Sequence, residues 1–153
     1  MNIHLPYQSY TASLRILSDE DLRKQCRDAY TIVGMLTGFQ FTNHLPIQKK
    51  VFWEKYAQHP DVLLWKGYSR SLTFYCNTAL ALWEERGFEQ KIPYVPHMGY
   101  AVKPHFVGDP QYHKFQQSQL VAKNPVRYGT VFKDIPPDLE PYYPPKPKKG
   151  GST

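Results

Sequence analysis

The segment DVLLWKGYSRSLTFYCNTALALWEERG, residues 61–87, constrains the fold more than any other. Its apolar residues recur at helical spacing along a main seam of Leu64, Tyr68, Leu72, Tyr75, Ala79 and Leu82, and others fall outside that seam. A helix that is apolar on more than one face has to be surrounded by other elements, so this one is expected to run through the centre of the domain. Pro60 suits its first turn and Gly87 its C-terminal stop, while Gly67 is a point where it can bend.

Two further helices can be read around it. Ser18 is a capping residue followed by Asp19, Glu20 and Asp21, which favour the positive end of a helix. Leu22, Cys26, Ala29, Val33 and Leu36 then form one apolar seam, with Gly38 as a stop. Asp109-Pro110 is a cap followed by proline at the first helical position, and it opens a polar helix through Lys123 that ends at Asn124-Pro125. Residues 1–16, around Pro6, read as an extended arm, and Pro46 can open a short helix through Gln58. Residues 88–108 are proline-rich and read as a loop. Strand patterns are nearly absent. The expectation is an all-α, compact single domain of three main helices with long irregular loops over residues 1–133, followed by a Pro/Lys-rich tail, 134–153, that is extended or mobile.

The charge narrows the partners. With 19 Lys and Arg against 13 Asp and Glu the chain carries a formal +6, which suits a polyanion such as nucleic acid. Its 12 Tyr, 8 Phe and 3 Trp can pack a core or stack on bases. Cys26 and Cys76 fall within helical patterns and form no CxxC, so buried thiols in a reducing compartment are expected rather than a disulfide. No apolar run is long enough to cross a bilayer, and MNIHLPYQSY lacks the pattern of a signal peptide. The reading is an intracellular, cytoplasmic protein with no membrane partner. Of six histidines none stands in HExxH or a CxxC…H spacing, and His105 and His113 only flank Asp109, so no metal site is expected. There is no GxGxxG, Walker-type loop or GxSxG.

The stretch RKQCRDAY, Arg23–Tyr30, places Asp28 among Arg23, Lys24 and Arg27. One reading is an ordinary i,i+4 pair of Lys24 with Asp28 on a solvated face. The other is a carboxylate, kept ionised by its basic neighbours, that stabilises a developing cation in a cleft whose rim binds phosphates. A free α-amine loses its proton near pH 8 and can attack carbonyl-like carbons to form a Schiff base. Asn2 is too bulky for the usual removal of initiator methionine, so Met1 is expected to supply that amine.

The order of these features resembles the phage-type pyrimidine-dimer DNA glycosylases, the endonuclease V family that cuts at UV photoproducts. The resemblance is carried by the arm MNIHL, by LSDEDLRKQCRDAYTIV, by HPDVLLWKGYSRSLTFYCNTALALWEERGF and by PHFVGDPQYHKFQQSQLVAKNPVRYG, most of residues 1–129. It implies a compact helical fold, a DNA glycosylase with abasic-site lyase activity acting on pyrimidine lesions in double-stranded DNA, and a monomer needing neither metal nor organic cofactor. It also implies that the α-amine of Met1 forms an imine with sugar C1′ before β-elimination, and that Asp28 is the essential carboxylate, where the well-known members carry Glu. Arg27 matches a phosphate contact and Tyr128 an aromatic position in the C-terminal DNA-binding segment; Arg23, Lys24 and Arg127 complete the expected phosphate contacts. The alternatives are a non-catalytic DNA-binding or protein-interaction module on the same fold, and a glycosylase for a different modified base.

Overall fold

A computed structural model describes residues 1–37, 55–96 and 99–147. The described residues contain no strand, and their helices are α1 Tyr10–Arg15, α2 Asp19–Thr37, α3 Pro60–Trp65, α4 Ser69–Glu85, α5 Pro110–Lys123 and α6 Pro125–Val131. The domain is therefore all-α, but six helices among the described residues replace the expected three. The stop expected at Gly38 and most of the helix expected from Pro46 lie outside the described residues.

Each correction has a local cause. The central segment is not one helix: Gly67 adopts φ +90°, a conformation that L side chains rarely take, and Tyr68 N–H closes a tight turn on Trp65 O at 2.8 Å. Its two halves, α3 and α4, are thus separate elements. Within the expected arm, Ser9 Oγ accepts from Ala12 N–H at 3.1 Å and starts α1. Pro125 ends α5 but also begins α6, because Asn124 Oδ1 accepts from Arg127 N–H at 3.2 Å and serves as the next N-cap.

Helix α2 packs along α4, with α1 across α4, α3 against α2 and α6 on α5. The α2 seam buries Leu22, Cys26, Ala29 and Val33, and α4 buries Leu72, Tyr75, Cys76, Ala79 and Leu82. Both cysteines are free, and burial pushes the Cys26 thiol up to about 12, which leaves it inert as a nucleophile. Trp65 is fully buried among Tyr10, Tyr75 and Phe106, with ring centroids 6.1, 6.2 and 4.9 Å away. Helix α5, polar in sequence, is a core element whose buried residues include His113, Gln116 and Ser118 beside Tyr112, Phe115 and Leu120. Beyond it, residues 134–147 run without helix: Ser118 Oγ donates to Pro136 O at 2.6 Å, Tyr142 Oη to Asp109 Oδ2 at 3.0 Å, and His105 Nε2 to Pro144 O at 2.8 Å.

A polar clamp ties the start of α2 to the ends of α5 and α6. The buried Asp21 carboxylate meets Lys123 Nζ at 2.6 Å and accepts from Tyr128 Oη at 2.6 Å, while Tyr128 Oη accepts from Ser18 N–H at 3.0 Å. Burial works to raise the Asp21 carboxyl, but the bonds from Lys123, Tyr128 and Ser18 outweigh it and hold the carboxyl below its ordinary value. A depressed native pKa gives stability that is present above the unfolded value, about 3.9, and lost as pH falls through the native one. Asp21→Asn is expected to lower unfolding free energy by about 2–3 kcal/mol at pH 7. Urea melts of the two proteins should converge as pH falls below about 4.

Candidate active site

Ile3, His4, Leu5 and Pro6 are buried, so their backbone groups need partners. No strand supplies them; side chains from four helices do. Asn2 N–H donates to Asp28 Oδ2 at 3.3 Å, Ile3 N–H to Asp61 Oδ2 at 2.8 Å, His4 N–H to Gln25 Oε1 at 2.9 Å and Leu5 N–H to Gln116 Oε1 at 3.3 Å. On the carbonyl side Gln25 Nε2 donates to Asn2 O at 2.6 Å, and Tyr75 Oη stands 2.6 Å from both His4 O and Gln25 Oε1. His113 accepts from Gly108 N–H at Nε2 (2.8 Å), so its proton sits on Nδ1 and is donated to Leu5 O, also at 2.8 Å. Gln117 Nε2 closes the series on Pro6 O at 2.9 Å. The arm is thereby fixed, and Met1 rests half-buried against the core.

Lys24 is not the partner of Asp28. It pairs with Glu20 at 3.3 Å, the acid-before-base order that suits an i,i+4 pair on a helix. Asp28 turns instead to the first amide of the arm. Nor do its basic neighbours dominate its titration: burial raises its carboxyl above the ordinary value, against the opposing pull of the N-terminal ammonium, Asn2 N–H and Arg27.

A second carboxylate stands at the same place. Asp61, only 3% exposed, follows Pro60 at the start of α3, whose N-cap is His59 with Nδ1 accepting from Asp61 N–H at 3.1 Å. One carboxyl oxygen holds Ile3 N–H; the other, Oδ1, has no partner among the described residues. Burial pushes this carboxyl up to about 7, opposed by Ile3 N–H and the ammonium and reinforced by Asp28. His4, buried nearby, is lowered to about 4 by burial and by Lys123, and stays neutral. In the sequence, Asp61 reads only as an acid in a first turn, and nothing in its neighbours announces a contact 58 residues away.

Arg23 and Arg27 face a cleft of about 600 Å³ between α2, the end of α4 and residues 88–92. Its far wall carries Lys91 and the stacked pair Trp83 and Phe88, with centroids 4.1 Å apart and planes 17° apart. Gly87, at φ +91°, turns the chain so that Phe88 folds back on Trp83, and Phe88 N–H donates to Trp83 O at 3.3 Å. Arg127 is exposed, but its Nη2 donates to Ile16 O at 3.0 Å. Tyr128 is fully buried with its hydroxyl in the Asp21 clamp, so its ring is not on the surface. The fold thus brings Asp28 to Asn2, the residue after Met1, places Arg23 with Arg27 at one cleft, and leaves Lys24, Arg127 and Tyr128 engaged elsewhere. Among the described residues no three His, Cys, Asp or Glu gather as metal ligands, and no helix is long and apolar enough to cross a membrane.

Residues 1–95 match the family model described as pyrimidine dimer DNA glycosylase, over well more than half of the chain. A buried N-terminal arm presenting its end to carboxylates beside a basic cleft lies wholly within that match. The chain belongs to the pyrimidine dimer DNA glycosylase family. Comparison with curated proteins and with solved structures yields no match.

The raised Asp61 carboxyl has a thermodynamic consequence. Its stabilising contribution is complete below the unfolded pKa near 3.9 and is lost as pH rises through about 7. Asp61→Asn, which keeps an oxygen for Ile3 N–H, should raise Tm at pH 8.5 relative to the parent protein. By calorimetry the difference should vanish toward pH 4.

Proposed function

We propose that the protein excises a pyrimidine lesion from double-stranded DNA and then nicks the strand, with the Met1 α-amine as nucleophile and Asp28 as its partner carboxylate. The observation that carries this reading is the bond from Asn2 N–H to Asp28 Oδ2 at 3.3 Å, which holds a carboxylate one residue from a chain terminus. Asp in place of the Glu of well-known members shortens the reach by one methylene, and the buried arm brings its own amide to the shorter side chain.

The chemistry follows from those two groups. As the glycosidic bond breaks, positive charge grows on the sugar, and an ionised Asp28 stabilises it. The amine lone pair adds to C1′ as the base departs; ring opening leaves an imine between the amine and C1′. The imine makes the C2′ proton acidic, and its loss expels the 3′ phosphate by β-elimination. The target carbon is hidden in stacked duplex, so the nucleotide has to be extruded. Arg23, Arg27 and Lys91 at the cleft hold the flanking phosphates, a contact that fixes register and weakens with salt. Lys24 adds to them at little cost, because its exposed pair with Glu20 is weak.

Borohydride trapping with duplex DNA tests the reading. Protein with a native N-terminus should form an adduct, mapped to the Met1 amine by mass spectrometry, with DNA carrying a cyclobutane thymine dimer or an abasic site. Asp28→Asn should slow excision roughly a thousandfold without lowering Tm. Binding without an adduct on either DNA would reject the enzyme in favour of a binding module. An adduct with abasic DNA alone would redirect the assay to a panel of other modified bases.

A further inference from the structure

The carboxylate at Asp61 has no task in the chemistry above, yet the fold buries it at the arm. An ionised carboxyl buried with one oxygen unpartnered costs more than a neutral side chain of the same shape. Asn could still accept from Ile3 N–H, so anchoring the arm does not by itself call for an acid. The nucleophile, by contrast, has a need that Asp28 cannot meet while it serves as the counter-charge to the sugar. An ammonium has no lone pair for C1′, so it must give up a proton before it can attack.

We propose that Asp61 is the proton acceptor for the Met1 amine: one oxygen anchors the arm through Ile3 N–H, and the unpartnered Oδ1 receives the proton that the ammonium must lose before it attacks. The inference rests on Met1 being the nucleophile. In the step, an N–H bond of the ammonium breaks, its electron pair stays on nitrogen, and an O–H bond forms on Asp61. The neutral amine then adds to C1′. No other reactant is required.

The surroundings of Asp61 favour this assignment. The charged groups that act on it are the Met1 ammonium and Asp28; Tyr75 from α4, Tyr112 from α5 and Tyr143 from the tail are raised in turn by its charge, and His59 caps its helix. Asp28 and Asp61 hold successive amides of the arm, those of Asn2 and Ile3, but differ in exposure: Asp28 is half-buried and Asp61 is closed off behind the arm. Two carboxyls in unlike environments divide the roles of counter-ion and base. A carboxyl titrating near 7 is a far better acceptor from an ammonium at neutral pH than an ordinary one.

The test is single-turnover trapping on abasic duplex from pH 6 to 9, with the full chain and a native N-terminus. Asp61→Asn should slow adduct formation about a hundredfold at pH 6.5, with the defect shrinking toward pH 9 as solvent base takes over the proton. The DNA concentration at half-saturation should not move. Calorimetry on the same samples separates folding from chemistry, since the variant is expected to be no less stable than the parent. A rate equal to or faster than the parent's at neutral pH would overturn the proposal, as would a loss that is constant across pH. If the parent protein itself gives no adduct, Met1 is not the nucleophile and the inference falls with it; a parent that traps beside an unaffected variant removes Asp61 alone.

Discussion

The structure depends on how its first six residues are satisfied. A buried peptide segment has to place every N–H and C=O, and an unmade bond costs on the order of 1–3 kcal/mol. Here the partners are side chains, Asp28 and Gln25 from α2, Asp61 from α3, Tyr75 from α4, and His113, Gln116 and Gln117 from α5. The arm is therefore a cross-link among four helices. Any shift of one helix breaks a bond to the arm, and any displacement of the arm strands buried polar groups on several helices at once. The position of the arm is set by the whole fold rather than by local conformation.

Stability is given up at this point. Two carboxyls converge on the arm, and both are raised by burial, Asp61 to about 7. Sites built for chemistry commonly keep groups that a more stable protein would replace. The Asp21 clamp shows the opposite arrangement in the same domain. There a buried acid has Lys123, Tyr128 and Ser18 on it and is pulled below its ordinary value. The contrast lies in partners, not in burial: Asp21 is fully paired, and Asp61 keeps one oxygen open.

Several charged and aromatic side chains serve the architecture. Trp65, Tyr75, Tyr112, Tyr128 and Phe106 are interior. Arg86 joins Asp19 at 3.0 Å and Arg15 O at 3.1 Å, Lys123 holds Asp21, and Arg127 holds Ile16 O. At the cleft Arg23, Arg27 and Lys91 stand near the Trp83–Phe88 stack.

The seam of α2, the Ser18 and Asp109 caps and the Gly87 stop were legible in the sequence, because periodicity and capping act within a few residues. So was the all-α class. The breaks at Gly67 and Asn124 were visible as residues but not as boundaries, since a glycine inside a helix pattern or a proline after one is compatible with either outcome. The buried character of α5 was hidden, because its polar residues serve other segments instead of water. Asp61 was hidden for the same reason: its role comes from a contact with Ile3 across 58 positions. Local composition determined which segments became helices and where most of them begin; only the packing of those helices around the arm decided which acid meets the arm, which pairs elsewhere and which is left with a free oxygen, because a carboxyl's proton affinity is set by everything within a few ångströms and not by its neighbours in the chain.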